Sequence, residues 1–269
     1  MPKLLGLAGI DAISLNSFND ARSAPRRPSE ITDHTTSLQQ IVANLGCDFG
    51  ALVLNEGENI VVVDEQGICL GGNTLFAAMC RLMADFQPNG TILMGMTAPE
   101  RLEDLLTGRG VPVVRSKSGT REIIDAAQAP GVVFAGNEQG GFIFPEFHVG
   151  FDGMLALAML VKLLQRAGTT LSGLVSQLPD FHLAYHAEPC PWDAKGTVMR
   201  LLGEHRFPHQ KVELLDGIKF YDGDAWILVL PDSYEPVFHI YAESPSLLES
   251  QALVREYSEK VHRFQGLQT

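Results

Sequence analysis

A short run of basic and hydroxyl-bearing residues, Arg115-Ser116-Lys117-Ser118-Gly119-Thr120, lies directly before a predicted helix over 121–127. The first N–H groups of a helix have no partner within it, so an anion can accept hydrogen bonds from them. Guanidinium, ammonium and hydroxyl groups on the same turn add charge-assisted contacts to a phosphate. Arg115, Ser116 and Lys117 are therefore candidate phosphate contacts. A loop that carries only a helix-capping residue is the alternative.

Two histidines and a cysteine recur at intervals of four residues, as His182, His186 and Cys190. On a helix this spacing would align three zinc ligands. Large apolar and aromatic residues alternate with the histidines, however, and a period of two predicts a strand that ends at Pro189. We therefore expect a strand here and no zinc site.

Helical and extended patterns alternate along most of the chain. Predicted helices cover 33–45, 74–85, 99–108, 121–127, 153–167 and 171–178, and predicted strands cover 49–54, 60–63, 91–96, 111–115 and 132–135. From residue 91 onward, strands without polar alternation are separated by helices, which indicates a parallel sheet that is covered on both faces. A polar stretch with two prolines over 16–28 predicts an irregular loop. Asn55-Glu56-Gly57-Glu58-Asn59 predicts a hairpin turn.

The pattern changes towards the C-terminus. A helix over 195–204 and a closing helix over 244–263 flank predicted strands at 212–215, 218–221, 225–230 and 237–241. Consecutive strands followed by a helix indicate an α+β unit, with helices on one face of a small antiparallel sheet. The linker Gln87-Pro88-Asn89-Gly90 is the clearest boundary, and we expect domains over 1–86, 87–186 and 187–269.

The composition is that of a soluble globular chain of 269 residues, 45% of them hydrophobic, with a formal net charge of −12. Excess negative charge argues against nucleic acid or an anionic membrane surface as a partner, because both attract clustered Lys and Arg. Four cysteines without a C-x-x-C pair or a secretory leader predict reduced thiols and a cytoplasmic location. The longest apolar run, 154–164, contains Lys162 and is too short to span a bilayer.

The pattern of the first 15 residues is unusual for the start of a domain. An amphipathic stretch with Leu4, Leu5 and Leu7 is followed at once by the strand-like Ala12-Ile13-Ser14-Leu15. A helix with no cap and no preceding strand to cover suggests a chain that starts inside a domain. We therefore expect a missing N-terminal domain or a homo-oligomeric partner.

Three loops share their order and spacing with those of a known family. Cys47-Asp48-Phe49-Gly50 with Val63-Asp64-Glu65-Gln66-Gly67 frames the first, residues 134–141 with Phe151-Asp152-Gly153 frame the second, and residues 230–243 contain the third. They resemble the metal, sugar-recognition and phosphate-binding loops of the α-D-phosphohexomutases, the family of phosphoglucomutase and phosphomannomutase. The resemblance covers nearly the whole chain. It implies an α/β fold of two phosphohexomutase-type mixed α/β domains, the first incomplete, followed by a small TBP-like α+β domain with an antiparallel sheet.

The resemblance also implies where a metal would lie. The family's three carboxylate positions fall on Leu54, Glu56 and Glu58, and its following arginine falls on Asn59. Glu56 and Glu58 are therefore the candidate metal ligands. Because one ligand is lost and each remaining carboxylate is longer by a methylene, we expect no cofactor, and Mg²⁺ if there is any.

In the sugar loop, Glu138 keeps the family's carboxylate, which accepts hydrogen bonds from two hydroxyls of a hexose. Asn137 and Gln139 beside it are further candidate sugar contacts. Gly140 and Phe142 stand where the family has a serine and a histidine. A carboxylate that serves only the loop is the alternative interpretation of Glu138.

The third loop keeps the frame of a phosphate site but not its charge. Asp232 and Glu235 lie in its turn, and Leu230 and His239 stand where the family has arginines. Loss of two guanidiniums and gain of a carboxylate reverse the sign of the pocket. Ser233 is the candidate phosphate contact in this turn, although we expect no phosphate to bind there.

An active phosphohexomutase also carries a phosphorylated serine on its first domain, to which the resemblance does not extend. We therefore expect a degenerate, non-catalytic module, regulatory or sugar-phosphate-binding, in a sugar-nucleotide pathway protein. Pro191-Trp192-Asp193-Ala194-Lys195-Gly196 and Asp216-Gly217-Ile218-Lys219 favour the variant that is fused to mannose-1-phosphate guanylyltransferase, a nucleotidyltransferase. One alternative is part of an active phosphohexomutase, completed by a missing N-terminal domain, that interconverts hexose 1- and 6-phosphates. Another is a protein-interaction domain without sugar binding.

Overall fold

Helices and strands alternate through the first two thirds of the chain, and antiparallel strands follow. The computed structural model describes residues 2–7, 9–15, 28–54, 56–205 and 211–266. Most of the predicted irregular loop over 16–28, and Asn55 of the predicted hairpin turn, lie outside these residues.

All the predicted helices are present, and two of them, α6 and α8 below, have the predicted bounds. The described helices are α1 (Pro2–Leu7), α2 (Pro28–Leu45), α3 (Gly72–Phe86), α4 (Glu100–Thr107), α5 (Thr120–Ala127), α6 (Gly153–Ala167), α7 (Leu171–Val175), α8 (Lys195–Glu204) and α9 (Leu247–Gln265). The described strands are β1 (Phe49–Val53), β2 (Ile60–Asp64), β3 (Thr91–Gly95), β4 (Val113–Ser116), β5 (Val132–Gly136), β6 (Phe142–Ile143), β7 (Leu183–Pro189), β8 (Val212–Glu213), β9 (Ile218–Asp222), β10 (Ala225–Pro231) and β11 (Val237–Glu243).

One predicted strand is wrong. Residues 12–15 are exposed and form no strand. A strand is stable only where a neighbour satisfies its main-chain hydrogen bonds, and none of the described strands pairs with this segment. The two-residue strand β6 escaped prediction because it is too short to show a period.

The predicted hairpin is confirmed. Strands β1 and β2 pair antiparallel, with Phe49 opposite Asp64 and Val53 opposite Ile60. Helix α2 packs on this pair, and Gly50 allows the close approach, since a β-carbon there would lie 2.5 Å from Val42 Cγ2.

A mixed sheet forms the middle of the chain, in the order β4-β3-β5-β6. Helix α4 connects β3 to its neighbour β4, and α5 leads from β4 past β3 to β5. Crossover helices of this kind are the connections that a parallel sheet requires. Strand β6 pairs antiparallel with β5. The α/β class predicted for this part of the chain is confirmed.

The chain divides into two compact units. One comprises Met1–Ile92, Gly110–Pro112 and Ala127–Leu178, and the other comprises Leu93–Arg109, Val113–Ala126 and Pro179–Thr269. The domain boundaries expected from the sequence stay predictions. All four cysteines are free, as predicted. Among the described residues, no helix combines the length and the apolar character that crossing a bilayer requires.

The C-terminal sheet confirms the predicted α+β unit. Its strands run antiparallel in the order β7-β11-β10-β9-β8. Alternate residues of β11 divide between its faces: Phe238, Ile240 and Ala242 join the core that contains residues of α8 and α9. His239 and Tyr241 belong to the opposite face by the same alternation. The three histidine and cysteine positions weighed as zinc ligands lie in or beside strand β7, as predicted.

The face of this sheet away from α8 and α9 contains a fully buried lysine. Lys219 Nζ lies 3.1 Å from Glu100 Oε1 and 3.9 Å from the centre of the Trp226 ring. Glu243 Oε2 accepts hydrogen bonds from Trp226 Nε1 and from the Glu100 N–H, both at 2.7 Å. Burial lowers the pKa of Lys219 to about 8, the charge of Arg115 acts in the same direction, and Glu100 opposes both. The network joins the start of α4 to the sheet.

We expect the lowered pKa of Lys219 to contribute to the pH dependence of the unfolding free energy. The native lysine loses its proton near pH 8, whereas the unfolded chain keeps it to about pH 10.5. Between these values the unfolded state binds more protons, so the group makes the unfolding free energy rise with pH, by at most about 1.4 kcal/mol per pH unit. Denaturant titrations across this range should show that Lys219→Met lacks this rise, while exposed Lys211→Met keeps it. Identical slopes in the wild type and Lys219→Met would contradict the prediction.

Glu65, directly after β2, binds the start of α7. Its carboxylate accepts hydrogen bonds from the Ser172 hydroxyl and, at 3.3 Å, from the Ser172 N–H. Burial raises the pKa of Glu65, but hydrogen bonds from Ser172 and Thr170 outweigh it and hold the pKa at about 2. An ionised carboxylate thus links the hairpin to the segment that follows α6.

We expect Glu65→Gln to destabilise the protein by about 1 kcal/mol at neutral pH, since the lost hydrogen bonds are partly exposed. The native pKa lies below the ordinary value of 4.5. The stabilisation is therefore complete above pH 4.5 and disappears as the pH falls towards 2. Thermal unfolding between these values should show a weaker acid dependence in Glu65→Gln than in the wild type. The matched Glu58→Gln, on the exposed hairpin turn, should behave as the wild type.

Candidate functional site

In the turn between β10 and β11, an aspartate side chain accepts hydrogen bonds from N–H groups of the turn. Asp232 Oδ1 accepts hydrogen bonds from the N–H groups of Tyr234 and Glu235, each at 2.6 Å. Asp232 Oδ2 lies 2.8 Å from His239 Nε2. Successive N–H groups in a turn are the donors that anions bind. The carboxylate therefore lies where these donors would hold a phosphate.

The imidazole of His239 bridges Asp232 and a tyrosine. His239 Nδ1 lies 2.9 Å from the Tyr185 hydroxyl, and the two rings stack with centres 5.9 Å apart. Burial raises the pKa of Asp232, but hydrogen bonds from His239 and from the two turn N–H groups outweigh it and hold the pKa below its ordinary value. Burial raises the pKa of Tyr185, and the charges of Asp232 and Glu235 raise it further. At neutral pH the turn therefore contains a carboxylate and a neutral phenol.

Lys195 holds the same turn from behind. Its ammonium donates hydrogen bonds to the main-chain carbonyls of Asp232 at 2.6 Å and Glu235 at 2.5 Å. It also lies 3.9 Å from the centre of the half-exposed Trp192 ring. The cation is thus directed at the backbone. Ser233, the predicted phosphate contact, is exposed in this turn.

Arg115, the first of the predicted phosphate contacts after β4, is used within the fold. Its Nε donates to Glu103 Oε2 at 2.6 Å. Its remaining nitrogens donate to three carbonyls that precede α4, those of Gly95, Ala98 and Pro99. The guanidinium therefore shapes the entrance to α4, and its role as a phosphate contact stays a prediction that these contacts do not support.

The other residues of this loop are arranged in a similar way. Ser116 is buried and its hydroxyl donates to the Lys117 carbonyl at 2.9 Å, whereas Lys117 is exposed. The Ser118 N–H donates to Asp216 Oδ2 at 2.8 Å. Burial raises the pKa of Asp216, although the Ser118 N–H and the charge of Lys117 act against it. The Asp216 carboxylate therefore accepts a hydrogen bond from the Ser118 N–H, which a phosphate bound at the predicted anion site would otherwise accept.

The predicted sugar loop follows β5 and is shaped by Asn137. Its Oδ1 accepts hydrogen bonds from the N–H groups of Gln139 at 3.0 Å and Gly141 at 3.1 Å. Gly140 has a φ of +81°, and a β-carbon there would collide with the Ile60 carbonyl. A serine at this position would therefore not fit. Glu138 is half-buried and Gln139 is exposed.

The residues of the hairpin turn do not fit a magnesium ion. Glu56 and Glu58 are both exposed, and the third ligand position holds Leu54, whose N–H donates to the Asn59 carbonyl at 2.9 Å. Throughout the part of the chain that the structure describes, no three His, Cys, Asp or Glu residues are grouped to hold a metal. Mg²⁺ requires near-ideal octahedral geometry from oxygen ligands, which two solvated carboxylates do not provide.

The structure thus leaves the predicted contacts in separate loops: Asn137 to Gln139 after β5, Arg115 to Lys117 from the end of β4, and Ser233 after β10. The residues that organise the last of these loops escaped prediction. A signal existed for Asp232, because aspartate at the start of a turn accepts from N–H groups two and three positions later. None existed for Lys195 or Tyr185, which are distant in sequence.

A model of the phosphoglucomutase/phosphomannomutase family, alpha/beta/alpha domain III, matches residues 71–181. This segment is similar to domain III of the phosphohexomutases. The domain contains the mixed sheet with its helices and the loop that Asn137 shapes. The family resemblance expected from the sequence is confirmed at this level.

Relatives of similar sequence extend beyond this domain. A phosphoglucomutase/phosphomannomutase of Thermococcus kodakarensis is 27% identical over 259 residues, which are 96% of this chain and 56% of the relative. A phosphoglucosamine mutase of Methanococcus maripaludis is 25% identical over 250 residues, which are 90% of this chain and 56% of the relative. The chain spans a little over half the length of these curated relatives.

Solved structures show the same fold. A phosphoglucomutase/phosphomannomutase family protein from Burkholderia thailandensis has a TM-score of 0.80 at 18% identity, over 100% of this chain and 58% of that protein. Aspergillus fumigatus N-acetylphosphoglucosamine mutase, in complex with GlcNAc-6P and magnesium, has a TM-score of 0.59 at 12% identity, over 81% of this chain and 49% of that protein. The fold of this chain is therefore similar to that of these phosphohexomutases.

We expect millimolar Mg²⁺ to produce no saturable binding heat in calorimetry, because Glu56 and Glu58 are two solvated carboxylates without a third ligand. The melting temperature should respond to Mg²⁺ equally in the wild type and in the double variant Glu56→Gln/Glu58→Gln. Stoichiometric binding that this double variant loses would contradict the prediction.

Proposed function

We propose that this chain is a phosphohexomutase-type module that does not transfer phosphoryl groups and serves as a regulatory, sugar-recognising part of a sugar-nucleotide pathway protein. One observation carries the proposal: the Asp232 carboxylate accepts hydrogen bonds from the two turn N–H groups that would otherwise bind a phosphate. Phosphoryl transfer depends on positive groups that are organised around the phosphate. Here Lys195 donates to carbonyls and Arg115 to a carboxylate and carbonyls.

Sugar recognition is assigned in the proposal to the loop after β5. Asn137 fixes its backbone through two hydrogen bonds, so Glu138 lies on a preformed turn within the phosphohexomutase domain. A carboxylate on a rigid turn suits recognition of paired hydroxyls. A sugar phosphate or a nucleotide sugar would then be recognised through its sugar. A link to mannose-1-phosphate guanylyltransferase belongs to the same proposal.

A second candidate is a share in an active phosphohexomutase, with a further domain that supplies the phosphoserine. The relatives favour it, since proteins that align with 90% or more of this chain are phosphoglucosamine mutase and phosphoglucomutase/phosphomannomutase. The loop contacts favour the non-catalytic candidate instead. Turnover by this chain would establish the active candidate, whereas an inactive chain is expected under both, because the active candidate needs a further domain that supplies the phosphoserine.

We expect the purified chain to show no interconversion of hexose or hexosamine 1- and 6-phosphates, with or without Mg²⁺, because Lys195 and Arg115 are engaged by groups of the protein. The same ligands and nucleotide sugars should raise the melting temperature, since a ligand that binds only the native state stabilises it. Glu138→Gln should lose this increase, and Glu259→Gln, an exposed carboxylate on α9, should keep it. Turnover above a buffer blank would support the active candidate. If Glu138→Gln keeps the ligand-induced rise in melting temperature, Glu138 is not part of the sugar site.

A further inference from the structure

Three hydrogen-bond donors converge on one side chain in the turn between β10 and β11. The N–H groups of Tyr234 and Glu235 point at Asp232 Oδ1, and His239 Nε2 lies within hydrogen-bond distance of Oδ2. Their distances of 2.6, 2.6 and 2.8 Å are those of charge-assisted hydrogen bonds. The arrangement is that of an anion site with a carboxylate already inside it.

The Asp232 carboxylate determines which nitrogen of the neutral His239 imidazole carries the proton. Neutral imidazole has one donor and one acceptor nitrogen. Asp232 Oδ2 can only accept, so Nε2 of His239 carries the hydrogen and Nδ1 accepts from the Tyr185 hydroxyl. With a group that only accepts in the turn, the donor nitrogen of neutral His239 is therefore directed at the turn.

The turn does not depend on the carboxylate for its shape. Lys195 Nζ holds the carbonyls of Asp232 and Glu235. Main-chain hydrogen bonds from the Asp232 N–H to the Val237 carbonyl at 3.1 Å, and from the Val237 N–H to the Glu235 carbonyl at 2.9 Å, close the turn independently. Removal of the Asp232 side chain would therefore leave the three donors in place and unsatisfied.

We propose that the Asp232 carboxylate is an intramolecular oxyanion that closes a latent anion pocket formed by the N–H groups of Tyr234 and Glu235 and by His239. The contact is autoinhibitory, because a small oxyanion such as phosphate must displace a covalently tethered competitor. After its removal, the basic and acidic side chains that the structure places in or against the turn include Lys195, His239 and the exposed Glu235. The inference rests on the proposed absence of phosphate binding in this turn, for which it supplies the cause.

The test is a titration of inorganic phosphate into the full chain, followed by calorimetry and by the amide NMR signals of Tyr234 and Glu235. The wild type should show no saturable response. Asp232→Ala, which empties the pocket, should bind phosphate with a dissociation constant at least tenfold lower than that of the wild type. The changes in the amide NMR signals should be confined to the turn. Adding His239→Phe, which keeps the stacked ring but removes the donor, should weaken this binding.

Two control variants separate the pocket from charge alone. Asp232→Asn removes the charge but leaves an oxygen on the N–H groups, so it should not bind phosphate. Asp224→Ala, in the exposed turn between β9 and β10, makes the same charge change elsewhere and should behave as the wild type. Equal binding by Asp232→Asn and Asp232→Ala, or none by a folded Asp232→Ala, would overturn the inference.

The wild type provides a test that does not require a variant to fold. The NMR signals of the Tyr234 and Glu235 amide protons should shift as acid protonates Asp232. Addition of phosphate at neutral pH should leave these signals unchanged. Shifts caused by phosphate at neutral pH would overturn the inference. Phosphohexomutase turnover by the wild type would overturn the proposed function instead, and an inactive wild type with an unresponsive Asp232→Ala would overturn this inference alone.

Discussion

The need of every loop N–H group for an acceptor is the constraint on which this structure depends. Main-chain donors in tight turns are satisfied by the protein, by water or by a ligand. Here side-chain oxygens of the protein supply the acceptors: Asp232 in the turn after β10, Asn137 in the loop after β5 and Asp216 at Ser118. Asp64 does the same after β2, where its Oδ1 accepts from the N–H groups of Gln66 and Ile68.

The same constraint connects fold with function. A loop whose donors are satisfied internally is rigid without a ligand, and it gains little from binding one because an existing hydrogen bond must first be broken. The cations are engaged in the same way, Lys195 by two carbonyls and Arg115 by Glu103 and three carbonyls. These loops therefore keep their shape through contacts within the protein.

Much of the fold follows from local pattern. The bounds of α6 are predicted because Asp152 caps its start through two N–H groups and Gly168, with a φ of 60°, ends it. The alternation in β11 likewise predicts which residues face α8 and α9. Local pattern was misleading at residues 12–15, which have the composition of a strand but no described partner with which to pair.

The sequence by itself determined the order of elements, the three loop frames and the change of charge in the third loop, because these depend on residue type and short-range spacing. The tertiary structure decided what the charged groups do. The sequence predicts that Asp232 repels phosphate, and the fold adds that this carboxylate accepts hydrogen bonds from two N–H groups of its own turn. The sequence predicts Arg115 as a phosphate contact, and the fold adds that its guanidinium donates to Glu103. The partners of Lys195 lie 37 and 40 residues away, and only folding brings such groups within hydrogen-bond distance.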